Sequence, residues 1–523
     1  MTPLVGSRGQ WSRLTRYYID RSEVLLLAFL TALFFAVYMA YQPTPRGEFP
    51  SGWEGWFDQG MYLKSARALA QGDLAPEQHW FQIGYAAIAA PFAALGVRDP
   101  FLPINLISFL TFSLCFVRYF KGAIGEMGAI LVLLVTTMIP LRIHVPHEVN
   151  SVILTQFVVP WNTNPVAALF MALMLEVRSI GDPERTQRHG LIGAMAAGVF
   201  MIRFVEIAPL SMIGLGYLAR TVRLGHVVRK IVSALVGALM VIVPLLALTF
   251  AIHHALGSQY LGSSTTIGLS LSDAHERLIA LFLEAGPQYN EHSTAIFKLQ
   301  PWLYLGVPLA AYWAFADPRN GAIPVATAFA AILLYTSYND FSPLNVFRFA
   351  LIHYLVWTLP VLAAAGLAGL MVILRKRSFG LLAAFGALAL VLGSLTVTMR
   401  PLQVTAIEVT QTPADGSVNY TLQLDKSREI DAIDLVGAST NDWIALTVGR
   451  IEIATQDGRQ LTAFKDYRML TTDRGVRILL NRNIRASGLA IRITPGGPIW
   501  NAPLDGDGVE VRQLGITFRK LVD

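Results

Sequence analysis

The chain has 523 residues, 54% of them hydrophobic and 15% charged, and a mean hydropathy of +0.49. That is more apolar sequence than a soluble core can absorb, so the composition is that of an integral membrane protein. From Arg400 to Asp523 there are 15 basic and 15 acidic residues out of 76 charges, so the net +6 belongs to the first 399 residues, where Lys and Arg beside apolar runs are topology signals and nucleic-acid binding is excluded.

The first apolar run, residues 23–41, follows Arg8, Arg13, Arg16 and Arg21 and has no small-x-small cleavage site after it, which predicts an uncleaved span. Further windows near 101–119, 126–145, 151–176, 190–203, 205–219, 228–252, 300–316, 321–338, 346–374 and 379–398 bring the expectation to eleven spans. With the N-terminus inside, the segments facing the cytoplasm carry Arg118 and Lys121; Arg178, Arg185 and Arg188; Arg220, Arg223, Arg229 and Lys230; Arg319; and Arg375, Lys376 and Arg377. The positive-inside rule holds at each. The long outer loops are then 42–100 and 253–299, both with more acidic than basic residues. "IGYAAIAAPFAALG", residues 83–96, is too short for a crossing and predicts an interfacial or re-entrant helix. The windows from 190 to 219, parted by Arg203 and Glu206, predict a broken hairpin.

From 400 to 523 short alternating segments such as "GRIEIAT" and "LAIRITP", punctuated by Asp-Gly and Gly-Gly turns, predict an all-β sandwich, outside the membrane with the long loops. The expectation is a transmembrane domain over 1–399 and a soluble domain over 400–523. Cys115 is the single cysteine, so a disulfide framework and a Cys-based metal site are both excluded.

"GWFDQGMYLKSARALAQGDL", residues 55–74, lies just past the first span. Tyr62, Ala66, Leu69 and Ala70 fall on one helical face and Lys64, Arg67 and Gln71 on the other, which predicts a helix along the membrane surface that stops at Gly72. Asp58 opens it, either as a helix cap or as a functional carboxylate.

The form D-x-x-x-Y-x-x-x-A-x-x-L in the first outer loop resembles the GT-C superfamily of membrane glycosyltransferases, which includes protein O-mannosyltransferases, lipid A aminoarabinose transferases and arabinosyltransferases. "HWFQIGYAAIAAPFAALG" resembles their second loop helix and "INLISFLTFSLCFVRYFKG" their second span. "GLIGAMAAGVFMIRFVEIAPL" resembles their glycine-rich broken hairpin, and "NVFRFALIHYLVWTLPVL" a late span with an Arg-aromatic pair. The similarity covers about residues 20–398.

The resemblance implies transfer of a sugar from a polyprenyl-phosphate donor to a glycan, lipid or protein acceptor on the outer face of a bacterial inner membrane, with inversion and with Asp58 as general base. Some relatives have an acidic pair where this chain has Gln59, so Glu148 is taken as the candidate second acid. Arg203, Arg348 and Arg142 are candidates for the donor phosphate, the alternatives being an Arg203–Glu206 salt bridge and a snorkelling Arg348. Tyr62, His79, His147, Glu206 and His353 are expected around the substrate cavity.

Some relatives contain a divalent metal ion. Here His144 with His147, His253 with His254, and His79 form no H-E-x-x-H or Cys/His pattern, and "LDGDGVE" reads more simply as a hairpin turn than as a calcium loop. No metal ligand is assigned. The outer domain resembles jelly-roll carbohydrate-binding modules, in which Trp443, Tyr467 and Trp500 would be either stacking faces or core. Two other classes stand beside the enzyme: a transporter or flippase of lipid-linked glycans, and a non-catalytic glycan-binding membrane scaffold.

Overall fold

The computed structural model describes residues 21–41, 57–138, 140–141, 151–181, 188–223, 226–262, 268–269, 271, 274–285, 295–338, 352–376, 378–402, 405–411, 416–437, 450–461, 466–472, 475–496 and 509–518. Glu148, Arg142, His144, His147, Arg348, Trp443 and Trp500 lie outside them.

The helical part comprises α1 (Arg21–Tyr41), α2 (Phe57–Ala70), α3 (Ile83–Ala94), α4 (Leu102–Ile124), α5 (Glu126–Met138), α6 (Ile153–Val158), α7 (Thr163–Arg178), α8 (His189–Ile202), α9 (Ile207–Arg223), α10 (Val227–His253), α11 (Ala274–Phe282), α12 (Leu303–Ala316), α13 (Pro318–Ser337), α14 (Thr358–Arg375) and α15 (Phe379–Gly393). Among the described residues α1, α4, α10, α13 and α14 are long and apolar enough to cross a membrane, and the other apolar helices are shorter. The chain is a multi-pass membrane protein in which every apolar window of the sequence holds a helix. Three windows differ from expectation: the described part of 346–374 is a short helix, Ile352–Leu355, followed by α14, the 379–398 window turns to strand at Leu395, and a third window is divided. The 151–176 run is two helices, because Pro160 has no N–H to continue α6, and the chain turns through residues 159–162 before α7.

Polar contacts at the helix ends define two opposite faces. On one, Arg118 at the end of α4 pairs with Glu23 at the start of α1 (2.7 Å), and the Ser22 hydroxyl donates to Glu126 at the start of α5 (2.8 Å). Arg178, Arg220 and Arg319, from α7, α9 and α13, share this basic face with Tyr119. On the other face the Tyr38 hydroxyl, near the end of α1, donates to Asp99 just before α4 (3.1 Å). Since α8 starts on the basic face, its far end at Ile202 lies on the Asp99 face, as do α2 and α3.

Small residues let the helices approach closely where lipid supplies no hydrophobic drive. Gly193 and Gly237 bring α8 and α10 together, and a Cβ on Gly366 of α14 would stand 2.7 Å from the Gly306 carbonyl oxygen of α12. The outer sides of α10 and α15 carry exposed Leu235, Leu239, Met240, Val243, Leu388 and Leu390, a lipid-facing pattern.

The C-terminal part is antiparallel: β1 (Leu395–Leu402), β2 (Thr405–Gln411), β3 (Val418–Val436), β4 (Arg450–Thr455), β5 (Gln460–Leu461), β6 (Tyr467–Thr472), β7 (Gly475–Thr494) and β8 (Val509–Phe518). The order is β1-β8-β3-β7-β4-β5, with β2 on β3 and β6 on β7. The strands start at Leu395, five residues before the expected boundary at 400, because β1 pairs with β8 from Leu395 onward. The expected antiparallel all-β domain is present, and hydrogen bonds join its described strands into one continuous sheet through β3 and β7. Register shifts between Gln423 and Arg428 and between Ile430 and Ala432 divide that long ribbon into two halves, whose side chains share one core.

Candidate functional site at the broken helix

The site is built on the break between α8 and α9. Helix α8 ends at Ile202, Arg203 leaves the helical conformation (φ −156°, ψ 88°), and residues Phe204–Glu206 form a single 3-10 turn before α9. Helix α3 holds the break in place. The Phe204 N–H donates to the Gln82 side-chain oxygen (2.9 Å), and a Cβ on Gly84 would be 2.5 Å from the Met201 carbonyl oxygen, so only glycine permits this approach.

The break places Arg203 in a buried polar and aromatic nest. Its Nε donates to Glu206 Oε1 (3.1 Å) and to the Tyr335 hydroxyl oxygen (3.2 Å), and its Nη1 donates to Asn162 Oδ1 (2.9 Å). The guanidinium lies 4.4 Å from the Tyr354 ring centroid and 5.7 Å from that of Tyr335. The Tyr335 hydroxyl also donates to Glu206 Oε1. Nη2 makes no hydrogen bond to a described residue. The salt bridge weighed as the alternative for Arg203 therefore exists, and it leaves Nη2 without a partner among the described residues.

Arg203 also lines a cavity of about 370 Å³ whose other walls include Phe204, Ile207, Tyr260, Leu269, Leu334 and Tyr335. This is within the size range of small-molecule sites. Among the described residues that line it, Arg203 is the one cation and the rest of the wall is apolar or aromatic, a composition suited to an amphiphile with an anionic group.

Beside Arg203 the 159–162 turn is tied down by two asparagines. Asn105 Nδ2 donates to the carbonyls of Val158 (3.2 Å) and Val159 (3.1 Å), and Asn164 Nδ2 to those of Phe157 (3.2 Å) and Val159 (2.9 Å). Trp161 stacks on His353 (3.8 Å between centroids, 6° between planes), His353 meets Tyr354 at 4.0 Å, and Tyr354 stacks on Tyr335 at 4.6 Å. Among the described residues, five buried polar atoms in this shell have no hydrogen-bond partner: Trp161 Nε1, Thr163 Oγ1, Asn164 Oδ1, Glu206 Oε2 and His353 Nδ1.

Asp58 is half-buried in the first turn of α2, where the helix dipole favours a carboxylate. Its charge acts on the phenols of Tyr62 and Tyr354, and the Arg203 charge acts on the same two groups, so both charges lie within electrostatic range of one aromatic cluster. Burial, together with Asp58, raises the Tyr62 phenol well above its ordinary range and keeps it protonated. Next to Asp58, the buried Gln59 amide nitrogen has no hydrogen-bond partner.

Other expected residues are placed differently. Tyr62 is packed among Phe81 (4.6 Å), Tyr85 (5.2 Å) and Phe101 (6.3 Å), so it builds the loop's core beneath the site. His79 is fully buried, its Nδ1 against Ser65 Oγ (2.8 Å) and its Nε2 against the Asp73 carbonyl (2.9 Å), so it clasps the loop after α2 instead of lining a substrate cavity. Of the two roles open to Tyr467, the structure gives the core one. It is buried with its hydroxyl on the Ile451 carbonyl (2.8 Å), so it is core and offers no stacking face. Among the described residues there is no group of three or more His, Cys, Asp or Glu side chains placed to hold a metal ion.

Asn162, Tyr335, Tyr354, Trp161 and Gln59 were not anticipated as site residues. The stretch "VVPWNTNP" did carry a signal, with three polar side chains and two prolines inside an apolar window.

No protein-family description and no curated protein matches the chain. Among solved structures the chain is similar to ArnT from Cupriavidus metallidurans bound to undecaprenyl phosphate, at 14% identity and a TM-score of 0.44, over 71% of this chain and 69% of that one.

Proposed function

We propose that this protein is a membrane glycosyltransferase that moves a sugar from a polyprenyl-phosphate donor to an acceptor at the Asp99 face. One observation carries this reading: a buried arginine whose Nη2 makes no hydrogen bond among the described residues lines an apolar cavity. Such a site suits the phosphate of the donor at Arg203 and its first isoprene units against Phe204, Ile207 and Leu334. The unpartnered atoms around Trp161 supply both donors and acceptors, as sugar hydroxyls require, whereas a phosphate offers acceptors only.

In the proposed step Asp58 takes the proton of the acceptor hydroxyl as its oxygen bonds the anomeric carbon. The bond from that carbon to the phosphate oxygen breaks on the opposite side, and the phosphate leaves with the electron pair, held at Arg203. The anomeric centre is inverted. In this reading the face is the periplasmic side of a bacterial inner membrane, and the basic helix ends face the cytoplasm.

Sugar transfer by the purified protein, tested over a panel of polyprenyl-phosphate sugars, decides the matter. Wild type transfers from one of them, and Asp58→Asn, which retains shape but cannot accept the proton, loses about 10²–10⁴-fold in kcat. Equal transfer by both proteins would remove Asp58 from the role of base. Binding of a sugar-loaded lipid without transfer by wild type would favour a transporter instead.

A further inference from the structure

The basic face holds a charge cluster that the transfer chemistry does not use. Arg178, Arg220 and Arg223, and Arg319 reach it from α7, α9 and α13. Arg220 is half-buried. Its Nη1 donates to the Arg178 carbonyl (2.8 Å), its Nη2 donates to the Arg319 carbonyl, and the charges of Arg178, Arg223 and Arg319 all act on it. Arg178 lies 4.9 Å from the Tyr119 ring centroid and donates to the Tyr119 carbonyl. None of the four arginines forms an ion pair with a carboxylate among the described residues. Asp317, which acts on Tyr119, takes its hydrogen bond from Asn320 (2.8 Å).

Membrane topology requires cations beside a span, but it does not require three helices to converge their arginines on one half-buried guanidinium. Arg178 and Arg220 are half-buried and Arg223 and Arg319 exposed, and among the described residues four arginines stand here against the one nearby carboxylate of Asp317, an excess of positive charge that attracts an anion. The surrounding surface indicates which kind. Leu215, Leu218 and Val222 of α9 and Phe315 at the end of α12 are exposed, Phe315 by 85%. Cations that share the ends of membrane helices with exposed apolar side chains match a headgroup and acyl chains together.

We infer that the Arg178, Arg220, Arg223 and Arg319 cluster binds the phosphate of an anionic phospholipid, with its acyl chains along α9 and the end of α12. The shared chemistry is a phosphate anion, and the lipid-borne form is the one the exposed apolar side chains select. This site is on the face opposite the broken helix and does not depend on the transferase reading.

The test is binding to the full-length protein in a zwitterionic detergent, with phosphatidylglycerol, phosphatidylcholine and inorganic phosphate as probes, resolved by native mass spectrometry. Wild type is expected to retain phosphatidylglycerol at least tenfold more strongly than phosphatidylcholine. Arg319→Gln, at an exposed side chain that folding does not need, and Arg220→Gln are each expected to reduce that preference roughly fivefold. Equal retention of the two lipids overturns the inference, as does a preference unchanged in both variants. Inorganic phosphate bound with the same dependence on the two variants, and with no gain from the lipid, would identify a free-anion site and overturn the lipid assignment.

Discussion

At the residue scale the weight falls on Arg203, which has a structural and a ligand-binding part that substitutions can separate. Arg203→Met leaves the Glu206 carboxylate buried without its cation, so a stability loss of about 3–5 kcal/mol is expected in detergent unfolding. Arg203→Lys keeps the charge but not the planar fork that satisfies Glu206, Tyr335 and Asn162 together. Its donor KM should rise about tenfold or more, a charged hydrogen bond being worth about 1.5–3 kcal/mol. In the shell beside it, Trp161→Phe retains the stack on His353 and removes only the indole N–H. A several-fold rise in KM for the sugar-loaded donor, with binding of bare polyprenyl phosphate unchanged, would assign that N–H to the sugar. An equal change in both would place it on the lipid. Arg203 was legible in the sequence because a charge inside an apolar segment is conspicuous. Asn162 and Tyr335 were not, since they lie 41 and 132 residues away and meet it only in the packed fold.

At the element scale the decisive feature is an interruption. Apolar windows located the helices because side-chain burial in lipid depends on composition, which a sequence displays directly. The break at Arg203 was legible from its charges, whereas hydropathy averages over Pro160 and Asn164 and hides the one at 159–162, which only the polar and proline residues of "VVPWNTNP" signal. Helix α3 is the element whose position matters most to the site, since Gln82 and Gly84 bind it to the break. Gly84→Val drives side-chain carbon into the Met201 backbone, and overpacking of this kind costs about 1–3 kcal/mol. Both the midpoint of thermal unfolding and the donor affinity should fall. A variant with normal affinity would mean that α3 does not set the geometry of Arg203.

At the scale of the whole molecule two cores coexist, one helical and one in the sheet, and they are stabilised differently. Inside the sheet domain Asp434 pairs with Arg477 (2.8 Å) and Arg512 (2.6 Å), all three nearly buried. Asp434→Asn removes the buried carboxylate that both guanidiniums share, leaving Arg512 its second pair with Glu510 (3.1 Å), and should destabilise the domain by about 3–5 kcal/mol, seen as faster proteolysis of the 395–518 region in the intact chain. Alternating strands made the all-β character legible, but their hydrogen bonding into one sheet was not, because it depends on register shifts within two long strands that local patterning does not show. The account as a whole depends on what enters the cavity at the broken helix. The most direct measurement is a cryo-electron microscopy structure in lipid nanodiscs loaded with polyprenyl phosphate. The account predicts the phosphate within hydrogen-bond distance of Arg203 Nη2 and the chain against Phe204, Ile207 and Leu334. A phosphate bound away from Arg203, with this cavity empty of lipid, would contradict it.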